Sequence, residues 1–132
     1  MAGILRTSRK QPNSIDFRAS HAVVIGINNY RNDIPPLLTP VNDATRLATL
    51  LERDHGYIVH ELLNENATLD CLETCFTITL PSLLGPDDRL LVYFAGHGTV
   101  GDSDGGPQGF LIPQGADKAN EASLLPMATL HE

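Results

Sequence analysis

Hydrophobic side chains come in two rhythms along this chain. Residues 22–27 (Ala-Val-Val-Ile-Gly-Ile) and 90–95 (Leu-Leu-Val-Tyr-Phe-Ala) are apolar without a break. An extended segment with apolar side chains on both faces is the pattern of a strand buried on both sides, as in a parallel sheet. Residues 57–63 make a third strand of less regular alternation. Between these runs the period lengthens to that of a helix. Ala44, Leu47, Ala48 and Leu51 fall on one stripe, with Arg46 and Arg53 off it. Asn42 or Asp43 reads as the N-cap of that helix and Gly56 as its stop. Leu69, Leu72, Phe76, Leu80 and Leu83 form the stripe of a second helix capped by Thr68. Pro81 is expected to kink or break it near its end. Three strands separated by two helices predict an α/β fold, a three-layer sandwich whose mainly parallel sheet has right-handed crossovers.

The flanks are less regular. Residues 99–108 read as a glycine-rich loop and 109–113 as a brief strand. Pro126 suits the first turn of a third helix. Only six residues follow it, so the segment reads as the first part of a larger domain. Residues 1–20 are polar and basic and are expected to be a flexible leader, with 21–132 the folded domain.

Composition adds limits. A chain of 132 residues supports one domain with a core of its own. The formal net charge of −7 is uneven: residues 1–20 carry +3 and the remainder −10. An acidic body argues against nucleic acid as a partner and suits basic substrates. No apolar run approaches the length of a membrane helix, so no membrane partner is expected. Two cysteines, Cys71 and Cys75, stand at helical i, i+4 spacing, which suits a disulfide poorly. With no apolar leader, they point to a reducing, cytoplasmic setting.

The chemistry centres on His97. The run 90–95 stops at Gly96-His97-Gly98, where glycines allow a sharp turn and leave an imidazole accessible. The carboxyl end of a buried strand is where open α/β sheets hold their ligands, and histidine suits proton transfer near neutral pH. This strand resembles that of the caspase and metacaspase family of cysteine proteases. Similar elements occur in order: residues 21–30 with their Gly-Ile-Asn, Asn42-Asp43-Ala44 at the first helix, 87–98 with the histidine, and 109–117 with its Leu-x-Pro. The resemblance implies a caspase-like sheet of flavodoxin-like topology, truncated before the nucleophile strand. It also implies peptide-bond hydrolysis through an acyl-enzyme.

By the same resemblance His97 is the catalytic base and the Gly98 N–H an oxyanion donor. The family's nucleophile is a cysteine on a later strand, so no nucleophile is expected in this chain, and a missing second half or complementary subunit is implied beside the peptide substrate. Cys71 and Cys75 are expected to be small buried apolar side chains. Caspases hold a substrate aspartate with an arginine shortly before the first helix, whereas Leu37-Leu38-Thr39-Pro40 has none. Metacaspases use an aspartate to hold arginine or lysine, and Asp43 stands at that place; its other reading is a helix cap. A catalytically inactive interaction module is the alternative function.

Other patterns carry less. Gly101-Asp102-Ser103-Asp104-Gly105 fits a serine-hydrolase motif but lacks the strand-turn-helix setting. Asp102 and Asp104 hint at a calcium loop, but the register puts Pro107 where glycine is needed. His21, His55, His60 and His131 lack metal-ligand spacing, so neither metal nor cofactor is expected.

Overall fold

The structure, a computed structural model, describes residues 2–8, 17–103 and 106–131. Its main sheet contains β1 (Ala2–Ser8), β2 (Ala19–Gly26), β3 (Ile58–Leu63) and β4 (Asp88–Ala95), in the order β1-β4-β2-β3. β2 runs parallel to both β3 and β4, as the two-faced apolar runs predict. β2 and β4 split their side chains between two cores with the period of two that a strand dictates. Val23, Ile25, Leu90, Val92 and Phe94 enter one core; Ala22, Val24 and Leu91 enter the other.

A helix closes each face. α1 (Pro40–His55) covers the second core with Ala44, Ala48 and Leu51. Its first turn sits hard against Gly26, where a Cβ would lie 2.8 Å from the Pro40 carbonyl oxygen and 2.9 Å from Ala44 Cβ. The opposite face is covered by α2 (Leu69–Thr74), a wider π turn (Cys75–Thr79) and α3 (Leu80–Leu83). Leu72, Cys75 and Leu80 point inward. The result is the α/β three-layer arrangement expected.

A small second sheet, β5 (Gly98–Ser103), β6 (Gly106–Leu111) and β7 (Leu125–Pro126), extends the same core. Phe110, Leu111, Ile112, Leu124 and Leu125 are its contribution.

Several local expectations need correction. The leader is not flexible throughout: Ala2–Ser8 pairs antiparallel with Arg89–Ala95 of β4, whose backbone would otherwise present an unsatisfied edge. Positions 9–16 lie outside the described residues, and β2 begins at Ala19, before the expected boundary. The N-cap of α1 is Thr39, with Pro40 at the first helical position, so Asn42 and Asp43 stand inside the first turn. Pro81, expected to kink or break the second helix near its end, does not stop it: the helix carries through Pro81 and ends two residues later, at Leu83. The preceding π turn, closed by Leu80 N–H to the Cys75 carbonyl, widens the backbone where the proline ring must enter. The glycine-rich 99–108 stretch is largely a hairpin, with Gly101 lying against the Phe110 ring. Pro126 itself is the last residue of β7, paired with Phe110, and the helix expected to open at it begins one residue later as a 3-10 helix, Met127–His131.

Candidate functional site

The apolar run of β4 ends at Ala95 and the chain passes through Gly96 to His97, at the carboxyl end of a strand flanked on both sides. The adjacent loop, residues 28–39, leaves the same end of β2. It is tied at its base by side-chain amides. Asn28 Oδ1 accepts from the Val41 N–H at 2.9 Å, and Asn64 Oδ1 accepts from the N–H groups of Asn28 (2.9 Å) and Asn29 (3.3 Å). Asn32 Nδ2 donates to the Ala116 carbonyl at 3.2 Å. The turn at Asn32 and Asp33 uses left-handed backbone, φ 57° and 68°, which these two residue types tolerate better than most.

Two residues of that loop grip His97. Its Nε2 lies 2.9 Å from the Pro35 carbonyl oxygen. A carbonyl only accepts, so Nε2 carries the proton, and in the neutral ring Nδ1 holds the lone pair. The His97 backbone N–H donates to the Tyr30 hydroxyl at 2.9 Å, and that hydroxyl donates to the Ile112 carbonyl at 3.1 Å. The Tyr30 ring also meets the imidazole edge-on, with centroids 4.8 Å apart. Burial pushes the Tyr30 phenol up to about 12, with the His97 N–H bond opposing in part, so the hydroxyl stays protonated and can serve both bonds.

The glycines flanking His97 have separate tasks. A Cβ at Gly96 would stand 2.5 Å from the Tyr30 hydroxyl, so glycine is there to admit that hydroxyl and not only to let the chain turn. Gly98 opens β5, opposite Leu111. The neighbouring bond, Ile112 N–H to the His97 carbonyl at 3.0 Å, makes Gly98–Leu111 a pair that exchanges no hydrogen bonds. The Gly98 N–H is therefore turned away from β6. An imidazole lone pair and an outward backbone N–H on consecutive residues can serve proton transfer and anion stabilisation.

Asp43 lies half-buried in the first turn of α1, at the same end of the sheet, where the helix dipole favours a carboxylate. It faces Tyr93 of β4, whose phenol is raised first by burial and then by the Asp43 charge. It belongs to the face covered by α1, while His97 is gripped from the 28–39 loop. The cysteines divide. Cys75 is buried among apolar side chains, which push its thiol up to about 11, poor ground for a thiolate. Cys71 is exposed on the first turn of α2, a correction to its expected burial, since it falls off the Leu72–Cys75 stripe.

Tyr30, Pro35, Asn28 and Asn64 escaped the sequence reading as site residues. Asn28 had a signal, as the last residue of Gly-Ile-Asn. Tyr30 and Pro35 reach His97 across 67 and 62 positions, a relation no local pattern carries. Of the serine-hydrolase motif, positions 101–103 belong to β5 and Asp104 and Gly105 lie outside the described residues. Among the described residues no three His, Cys, Asp or Glu side chains converge as a metal site, and no helix is long and apolar enough to cross a membrane.

No curated protein matches the chain at a significant level. Residues 19–123 match the family model of the caspase domain, peptidase C14. That span runs from the start of β2 through the His97 hairpin and takes in both helices. By its sheet, its two helical layers and this match over most of its length, the chain belongs to the caspase-domain family.

Proposed function

We propose that this chain is the histidine-bearing part of a cysteine endopeptidase that cleaves after arginine or lysine, its nucleophilic cysteine lying outside the segment. The observation that carries the reading is the His97 Nε2–H bond to the Pro35 carbonyl, which leaves the lone pair on Nδ1, as a proton acceptor requires. In this scheme Nδ1 takes the proton of the attacking thiol as sulfur bonds to the scissile carbonyl carbon. The oxygen then carries the negative charge, and the outward Gly98 N–H stabilises it. Nδ1 returns the proton to the leaving amine as the C–N bond breaks. It then deprotonates the water that cleaves the thioester.

Asp43 is the candidate for holding the basic side chain. A carboxylate and a guanidinium pair through two charge-assisted hydrogen bonds, whereas a substrate aspartate there would meet like charge. The experiment joins the chain to its downstream part and follows hydrolysis of fluorogenic peptides. His97→Ala is expected to lower the rate by on the order of 10⁴–10⁶, and Asp43→Ala to weaken the preference for arginine and lysine. The 132-residue chain alone is expected to be inactive. Turnover by the chain alone that vanishes in Cys71→Ala would overturn the placement of the nucleophile.

A second reading, an inactive interaction module in a reducing cytoplasm, draws on β3, which is paired only with β2 among the described residues and exposes Ile58. A complete protein that binds peptide but gives no turnover, with or without His97, would favour it.

A further inference from the structure

The contact between Tyr30 and His97 changes the ladder in which His97 sits. β5 and β6 pair with residue numbers that place His97 opposite Ile112. An antiparallel pair of this kind exchanges two bonds, each residue's N–H to the other's carbonyl. Only one is direct: Ile112 N–H to His97 carbonyl, 3.0 Å. In place of the second, the Tyr30 hydroxyl stands between the strands, accepting from His97 N–H and donating to the Ile112 carbonyl. The phenol is thus a wedge in the last rung of the hairpin. It holds His97 away from β6 and toward the 28–39 loop, whose Pro35 carbonyl takes the imidazole.

Three features show that the wedge is built in. Tyr30 is only 8% exposed, so its hydroxyl has exchanged water for these two partners. Gly96 leaves the space that any larger residue would fill. Asn28 and Asn32 fix the loop from both sides, so Tyr30 has a rigid base.

We propose that Tyr30 is the positioning residue of this site: its hydroxyl, inserted between His97 N–H and Ile112 C=O, sets the backbone at His97 so that Nε2 meets the Pro35 carbonyl and the Nδ1 lone pair is presented to substrate. The proposal rests on the catalytic reading of His97, but its first test does not.

Without the hydroxyl, the two freed backbone groups either close the rung directly, drawing His97 toward β6, or remain unpaired. Both move the imidazole off the Pro35 carbonyl. Tyr30→Phe deletes one oxygen and keeps the ring, and the ring-nitrogen NMR shifts of His97 report the tautomer in the chain as it stands. The parent is expected to show a single Nε2–H tautomer, and Tyr30→Phe to move the shifts toward averaged values, with the His21 and His60 signals unchanged. Gly96→Ala, which drives a methyl into the hydroxyl, is expected to do the same with the tyrosine retained. His97 nitrogens that stay unchanged in a folded Tyr30→Phe would overturn the proposal. Should that variant unfold, unchanged nitrogens in Gly96→Ala would overturn it equally. In the enzyme joined to its downstream part, Tyr30→Phe is expected to lower kcat on the order of 10–100-fold with KM little changed, the signature of a displaced catalytic group. A tautomer shift together with full activity in His97→Ala would instead leave Tyr30 as positioned here and remove the catalytic role of His97.

Discussion

Two imidazoles meet on the main sheet, on β2 and β3, and one of them, His60, ties stability to pH. His21 Nδ1 and His60 Nε2 are 3.2 Å apart with their rings nearly parallel. Such a contact needs one N–H and one lone pair, so both rings cannot be protonated without turning N–H against N–H. Burial, and then the charge of His21, lower the His60 pKa below its ordinary 6.5. The unfolded chain therefore takes up this proton first, and stability falls as pH drops below about 6.5. Asp88 acts lower on the scale. The Gly85 N–H, followed by the Arg18 guanidinium, holds its buried carboxyl below the ordinary range, so its stabilisation is lost as pH falls through the carboxylate range. Urea midpoints measured against pH are expected to decline in two stages, and His60→Gln to flatten the first alone. A first stage of unchanged slope in that variant would refute the assignment.

Between residue and element, what was legible follows a physical divide. The buried strands 22–27 and 90–95 and the stripe of α1 were readable because burial on a regular backbone imposes a period. Thr68 was readable as a cap because it accepts from Cys71 N–H, a bond formed within one turn. The start of α1 is not legible in a local pattern because Pro40 and the close approach to Gly26 fix it, and the second of these is a tertiary contact. The hairpin is hidden in the sequence because its glycines, which suggest a loop, make room for the cross-strand Phe110 ring and for Met127 beyond the hairpin. At the candidate site the end of the β4 run at His97 is legible, and the groups that hold the imidazole are not, since Tyr30 and Pro35 come from another loop. Gly26 gives this scale its prediction. Gly26→Ala is expected to cost about 1–3 kcal/mol, because the methyl meets backbone of α1 that cannot rotate away. A denaturant melt within about 0.5 kcal/mol of the parent would show that α1 yields.

At the scale of the molecule, the sheet is parallel at its centre and antiparallel at one side only. β1 covers the edge of β4 from Ala2 opposite Ala95 to Ser8 opposite Arg89. Removing residues 2–8 uncovers that backbone, while the described core residues of β2, β4 and the helices remain in the chain. The shortened chain is expected to keep its far-UV spectrum, melt earlier and self-associate with rising concentration in sedimentation, as exposed strand edges do. A shortened chain that stays monomeric and equally stable would mean that β1 contributes nothing to the sheet.

That covering strand has a consequence in time. Its partners are numbered more than eighty positions later, while β2 and β3 can pair as soon as Leu63 is made. At about 5–20 residues per second, translation leaves Ala2–Ser8 waiting on the order of ten seconds for β4 to emerge. Through that interval the backbone of Ala2–Ser8 has no β4 edge to pair with and stays open to other contacts.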